Sequence, residues 1–200
     1  MIQFWTNGTY NPSTDIIIRG NLLDIGSGDW AQSIFMRNEM VDTGQAGTEM
    51  YYRNVLIEQN VIVNGHLHGI TVGETVGLRI ERNTLVQDLA SRGEANDRPL
   101  WVPQIRVSPA AAKVRIARNA VAVITGFEGQ PDWRLERNVT IQNRTRAEGG
   151  FYGQIFADPF GEDPADLGRF AYRRGGPLDG AGIGAPRLQD AAPAIRAGRR

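Results

Sequence analysis

Two hundred residues with 41% hydrophobic content suffice for one domain with its own core and fall short of two. Basic and acidic residues balance to a net charge of zero, which excludes a molecule-wide pull toward nucleic acid or an anionic membrane and leaves any preference for a polyanion to a local patch. There is no cysteine, so disulfides, thiolate metal sites and thiol nucleophiles are excluded. No apolar run approaches the ~20 residues that cross a bilayer, and no basic region followed by an apolar one opens the chain.

The first predicted strand is Ile2-Gln3-Phe4, which lines up with Ile34-Phe35-Met36 further on. Residues 16–23 then carry the pattern apolar-x-apolar-x-x-Asn-x-apolar. The pattern returns at 55–62, 78–85, 114–121 and, imperfectly, 133–140. Its asparagines, Asn21, Asn60, Asn83, Asn119 and Asn138, are separated by 39, 23, 36 and 19 residues. After each of the first three comes a second short strand (22–25, 61–63, 84–86) and, beyond a loop, a third (33–36, 69–72, 104–107). Self-similarity of this kind predicts a chain coiled into a stack of similar turns, with the interval set by loops of different length.

Alternation within each strand places one side chain in two inward. The first strands then stack Ile16, Val55, Leu78, Val114 and Trp133 in one core column and Ile18, Ile57, Ile80, Ile116 and Leu135 in the next. In the third strands Ile34, Ile70 and Ile105 form one column, and Met36, Val72 and Val107 another. With its Asn at the turn between the first two strands, this pattern resembles the right-handed single-stranded parallel β-helix of the pectate-lyase-like superfamily over residues 1–145. The resemblance implies an all-β solenoid of about five coils with three short strands each, and Asn side chains stacked in an internal ladder. Asn tolerates the left-handed backbone that such a turn needs.

Because Met1 falls at the start of a third strand, the chain is expected to be the C-terminal part of a longer protein, or to have a partner over its open end. From residue 146 the composition shifts to Gly, Pro, Ala and Arg. The stretch from Asp158-Pro159-Phe160 to Gly180-Ala181-Gly182 resembles the segment that ends many of these β-helices, with a last strand at 170–173. Residues 146–185 are expected to close the last coil, and 186–200, rich in Ala, Arg and Pro, to be disordered.

Two outer surfaces offer chemistry. On the first strands Arg79, Arg115 and Arg134 share a ladder with Ile17 and Leu56, beside Arg19, Glu58, Glu81 and Glu136. This face reads either as a self-compensating charged surface or as a cationic groove for an acidic polysaccharide. On the third strands Gln3, Phe35, Thr71 and Arg106 point outward, and the alignment superposes Trp30, His66 and Trp101, with Trp5 following the first strand. Such rings either cover sheet edges or stack on sugar rings, with Asp29, Gln32, His68, Arg98 and Gln104 as polar neighbours. The two longest connections, 37–54 and 87–103, adjoin the same surface.

His66 and His68 are the only histidines, and their i, i+2 spacing on extended chain points them the same way. No third ligand is spaced for zinc, and the glycine-rich Ca²⁺ nonapeptide is absent. The resemblance admits Ca²⁺ as a carboxylate-neutralising group, but the chain carries no motif for it and no cofactor is expected. Lyases and epimerases of the superfamily remove the proton next to a carboxylate, which needs a neutralising cation and a base. Arg106 is the candidate cation and His66 or His68 the base; Trp5, Trp30, Phe35, Arg98 and Trp101 are the candidate substrate contacts. The resemblance therefore implies a secreted or cell-surface module that binds, cleaves or epimerises a uronate-containing polysaccharide. The alternatives are a non-catalytic glycan-binding spike or adhesin and a structural solenoid.

Overall fold

The structure is a computed structural model that describes residues 1–6, 12–25, 31–87, 102–163 and 165–190. Its repeats wind into a parallel β-helix of five coils built from three five-stranded sheets. Sheet A holds β1 (Ile2–Thr6), β4 (Ile34–Asn38), β7 (His68–Val72), β10 (Gln104–Val107) and β13 (Ile124–Thr125). Sheet B holds β2 (Ile17–Arg19), β5 (Tyr52–Glu58), β8 (Thr75–Glu81), β11 (Ala112–Ala117) and β14 (Arg134–Glu136). Sheet C holds β3 (Leu22–Asp24), β6 (Val61–Val63), β9 (Thr84–Val86), β12 (Ala120–Val121) and β15 (Val139–Thr140).

The register follows the repeat. Ile2 lies beside Ile34 and Phe4 beside Met36, Ile34 continues into Ile70 and Ile105, and Ile18, Ile57, Ile80, Ile116 and Leu135 form one row. These side chains, with Val55, Leu78, Val114 and Trp133, make a continuous apolar interior. Trp133 fills the last coil and donates its indole N–H to the carbonyl of Ala111 at 2.9 Å. Leu135, inward by register, remains 38% exposed at the end of its row. The two-residue β13 completes the coil of Asn119, which the sequence pattern alone leaves without a third strand.

The Asn residues form the expected ladder. Each of the first four donates its backbone N–H and its side-chain N–H to the Oδ1 of the next, all at 2.9–3.0 Å. From Asn60 onward each amide also donates to a carbonyl of the preceding coil, at Ile18, Ile57, Ile80 and Ile116. One expectation is corrected: the left-handed residue is not the Asn but its predecessor, Gly20, Gln59, Arg82, Arg118 or Arg137. The Asn side chain has to lie along the helix axis to reach its neighbours, so the sharp turn is made one residue earlier. Four of those five predecessors carry a Cβ, at a cost of about 1 kcal/mol each, which the ladder offsets.

The C-terminal segment departs from expectation more widely. It meets the end of the last coil through a parallel bridge between Gln142 and Phe151 and then runs along the outer face of sheet C. Val61, Val63, Val86 and Ala120, outward on their strands, are buried under Tyr152, Ile155, Phe156, Phe170, Tyr172, Leu178 and Ala185. Polar clasps fix the contact. The Tyr172 hydroxyl shares a 2.6 Å hydrogen bond with Thr84, the Gln87 N–H donates to the Tyr152 hydroxyl at 2.9 Å, and the Gly184 N–H donates to the Arg118 carbonyl. Burial pushes both phenols up. The strand expected at 170–173 is a 3-10 turn over Leu167–Phe170 followed by a single antiparallel bridge between Phe156 and Tyr172. The stretch expected to be disordered from 186 begins with a helix, Pro186–Asp190, that buries Leu188; residues 191–200 lie outside the described residues.

Two substitutions test this framework. Asn83→Ala removes two donors and the acceptor for Asn60 in a fully buried row, and should lower unfolding stability by roughly 3 kcal/mol in urea titrations. Tyr152→Phe strands the buried Gln87 N–H and should cost about 1–3 kcal/mol, read the same way.

Candidate functional site

The three outer faces differ in what occupies them. Sheet C is covered. Sheet B is self-paired: Arg19 reaches Glu58 at 2.5 Å, Arg79 reaches Glu81 at 3.0 Å, and Arg115 bridges Glu81 and Glu136 at 2.8 and 2.9 Å. Burial alone would raise the Glu81 carboxyl, but Arg79 and Arg115 outweigh it and hold it below the usual range. Such exposed pairs add little stability, yet they occupy these guanidinium groups and leave them poorly placed for an acidic ligand.

Sheet A carries an open groove of about 740 Å³. Strands β4, β7, β10 and β13 place Phe35, Thr71, Arg106 and Thr125 side by side along its floor, at the ~4.8 Å spacing of neighbouring strands. Two residues further along lie Arg37, Gly73 and Ser108, and Asp42, Glu74 and Glu128 stand at the margins. Asp42 comes from the short helix Glu39–Asp42, which starts the long 37–54 connection with the Asn38 side chain accepting the Val41 N–H.

His68 opens β7 and lines the groove beside Gln32. Its Nδ1 lies 2.8 Å from the Thr71 hydroxyl, its ring meets Phe35 edge-on with centroids 5.6 Å apart, and it stacks on His66 at 5.0 Å. Burial, then the neighbouring His66 and Arg106, push its pKa down to about 4. It is therefore neutral at physiological pH, and Nε2 has no partner among the described residues. If Nδ1–H donates to Thr71, Nε2 presents a lone pair to the groove. His66 is only 8% exposed and does not line the groove. Its N–H donates to Asn64 Oδ1 at 2.8 Å and its Nδ1 accepts the His68 N–H at 3.2 Å, so it braces His68 from behind.

Arg106 is partly buried on the floor, and its guanidinium has no hydrogen bond or ion pair among the described residues. Arg37, one strand beyond Thr71, is engaged by Asp42 and lies 5.2 Å over the Trp5 ring. Trp5, 45% exposed, donates its indole N–H to Glu39 at 3.2 Å and flanks Phe35 with centroids 6.2 Å apart. Phe35 itself is outward by register but only 8% exposed, because Trp5 and His68 cover it. Of the expected site residues the structure thus gathers Trp5, Phe35, His68 and Arg106 in one place. Trp30, Arg98 and Trp101, like Asp29, lie outside the described residues.

Sequence reasoning missed Glu74 and Ser108. Glu74 Oε1 accepts from the Ser108 hydroxyl at 2.8 Å, while the buried Oε2 has no partner. The signal was available, since both follow third strands directly, Glu74 two residues after Val72 and Ser108 next to Val107. Asn64 was missed too; it is fully buried, donates to Ser33 and to the Ala31 carbonyl, and shapes the turn that carries both histidines. Among the described residues no group of three or more His, Asp or Glu side chains is placed to hold a metal ion. No protein-family model matches the chain, and neither curated proteins nor solved structures give a match to it.

The depressed His68 pKa has a measurable consequence. An unfolded chain takes up a proton near the ordinary histidine pKa of about 6.5, whereas folded His68 does so only near 4. Its contribution to stability is therefore full above pH 6.5 and is lost as pH falls toward 4. An NMR titration should show one imidazole protonating near pH 4, and His68→Gln should flatten the decline of the urea midpoint between pH 6.5 and 4.

Proposed function

We propose that the protein binds an extended, carboxylate-bearing polysaccharide along the groove of sheet A and removes the proton next to that carboxylate, as a polysaccharide lyase or a uronate C5-epimerase does. The observation that carries this reading is a partly buried arginine, Arg106, with no hydrogen bond or ion pair among the described residues, next to a neutral histidine, His68, in a long open groove. The resemblance of the repeat to the pectate-lyase-like superfamily supports it, and with it goes the proposal that the protein acts outside the cell or at its surface.

Each residue has a chemical part. The Arg106 guanidinium holds the uronate carboxylate and stabilises the charge that spreads onto it when the C5–H bond breaks. His68 Nε2 takes that proton, with Thr71 fixing the tautomer through Nδ1. In elimination the C5–H electron pair forms the C4–C5 double bond while the C4–O bond breaks, and the departing oxygen is protonated. In epimerisation C5 is instead reprotonated from the opposite face by water, and the His68 imidazolium gives its proton back to solvent. Trp5, backed by the covered ring of Phe35, gives the sugar an apolar edge to lie against, and His66 positions His68.

The test combines binding with the ultraviolet absorbance of unsaturated uronate across a panel of acidic polysaccharides. Arg106→Ala should weaken binding roughly 10- to 100-fold, the loss of a charged hydrogen-bonded contact. His68→Gln should abolish product while binding persists. Wild-type binding with neither elimination nor epimerisation would leave the non-catalytic glycan-binding module as the correct reading. Binding indifferent to Arg106 would remove the groove from the function.

A further inference from the structure

Resting on the function just proposed, we infer that the groove accepts a heteropolysaccharide in which a uronate is flanked on both sides by units without a carboxylate, and that it rejects a homopolyuronate. The reason is the order of charges along the helix axis. Arg37 is engaged by Asp42 and His68 is neutral, so among the described residues Arg106 is the groove cation left for a ligand. It belongs to the coil of β10. The coil on one side supplies Glu74, immediately after β7, and the coil on the other supplies Glu128, after β13.

A pyranose unit is about as long as the ~4.8 Å step between coils. With one carboxylate on Arg106, the adjacent units of the ligand therefore lie against the Glu74 and Glu128 coils. A second and third uronate there would bring like charges together at both ends of the site, which selects against such a ligand. The flanking positions instead ask for neutral units. Glu74 Oε1 already accepts the Ser108 hydroxyl and its Oε2 is buried, so Glu74 meets the ligand as a fixed negative charge beside which a neutral unit is tolerated and a carboxylate is not. Glu128, exposed, accepts only the Gly126 N–H among the described residues, through Oε2, and stays open to a sugar hydroxyl or an acetamido N–H.

Two oligosaccharides of equal length decide the matter by calorimetry at fixed salt: a hexamer alternating glucuronate with N-acetylglucosamine, and a hexamer of galacturonate. The intact chain should bind the alternating hexamer at least tenfold more tightly. The double variant Glu74→Gln/Glu128→Gln keeps the shape and the Ser108 contact, and should bind the galacturonate hexamer at least tenfold more tightly than the parent does. Arg106→Ala should weaken whichever hexamer binds. Arg106-dependent binding that is equal for the two hexamers or favours galacturonate, or a galacturonate affinity unmoved by the double variant, overturns the inference and leaves the proposed function standing. Failure of both hexamers to bind, or binding unmoved by Arg106→Ala, overturns both.

Discussion

Everything in this fold depends on the repeat distance of parallel strands. Hydrogen bonds between neighbouring strands fix each coil about 4.8 Å above the last, and a solenoid works only if every coil turns at the same place. The Asn row enforces that place. The amides of Asn60, Asn83 and Asn119 are each tied both to the next Asn and to a carbonyl of the coil before, so a coil that slipped by one residue would leave several buried polar groups without partners, at about 1–3 kcal/mol apiece. That penalty exceeds the cost of holding Gln59, Arg82, Arg118 and Arg137 in left-handed backbone. The turn is thus specified by the row it creates rather than by the preference of the residue that makes it.

Constant register converts each sequence position into a line of side chains, and the three outer faces use their lines differently. On sheet B, alternating Arg and Glu neutralise one another across coils. On sheet C, both faces of the strands are apolar, and the C-terminal segment covers the outer one. Sheet A keeps its lines open between coils, with Phe35, Thr71, Arg106 and Thr125 in one row. The long 37–54 connection strengthens this asymmetry, because it brings Asp42 and Glu39 to that side, where they engage Arg37 and Trp5.

The parts of this arrangement that follow from repetition were legible in the sequence. The inward columns, the alignment of Ile2 with Ile34, and the outward position of Thr71 and Arg106 all follow from a period of two and a fixed Asn. The parts that depend on contacts between distant residues were not. Tyr172 meets Thr84 across 88 positions, and no periodicity relates the two. The one local trace was that Val61-Ile62-Val63 and Thr84-Leu85-Val86 lack alternation, which is how a strand buried on both faces reads. Burial by neighbours was equally hidden: Phe35 and His66 occupy their expected positions in the chain, yet ring packing with Trp5 and His68 withdraws them from solvent. Glu74 was passed over because it stands in a turn, where the ladder arithmetic assigns no direction.

The electrostatics of His68 and Arg106 bear on the proposed chemistry in a further way. Part of what keeps His68 neutral is the positive field of Arg106, and a base held near 4 is a weak one. A carboxylate docked on Arg106 offsets that field, so binding the anion raises the proton affinity of the imidazole that must receive the proton. Linkage requires the converse, that protonating His68 strengthens the hold on the anion. Free protein would therefore keep an unprotonated base over a wide pH range, and the base would gain strength only when the group that acidifies the substrate is in place. An arginine that merely balanced a neighbouring glutamate, as on sheet B, could not couple the two events.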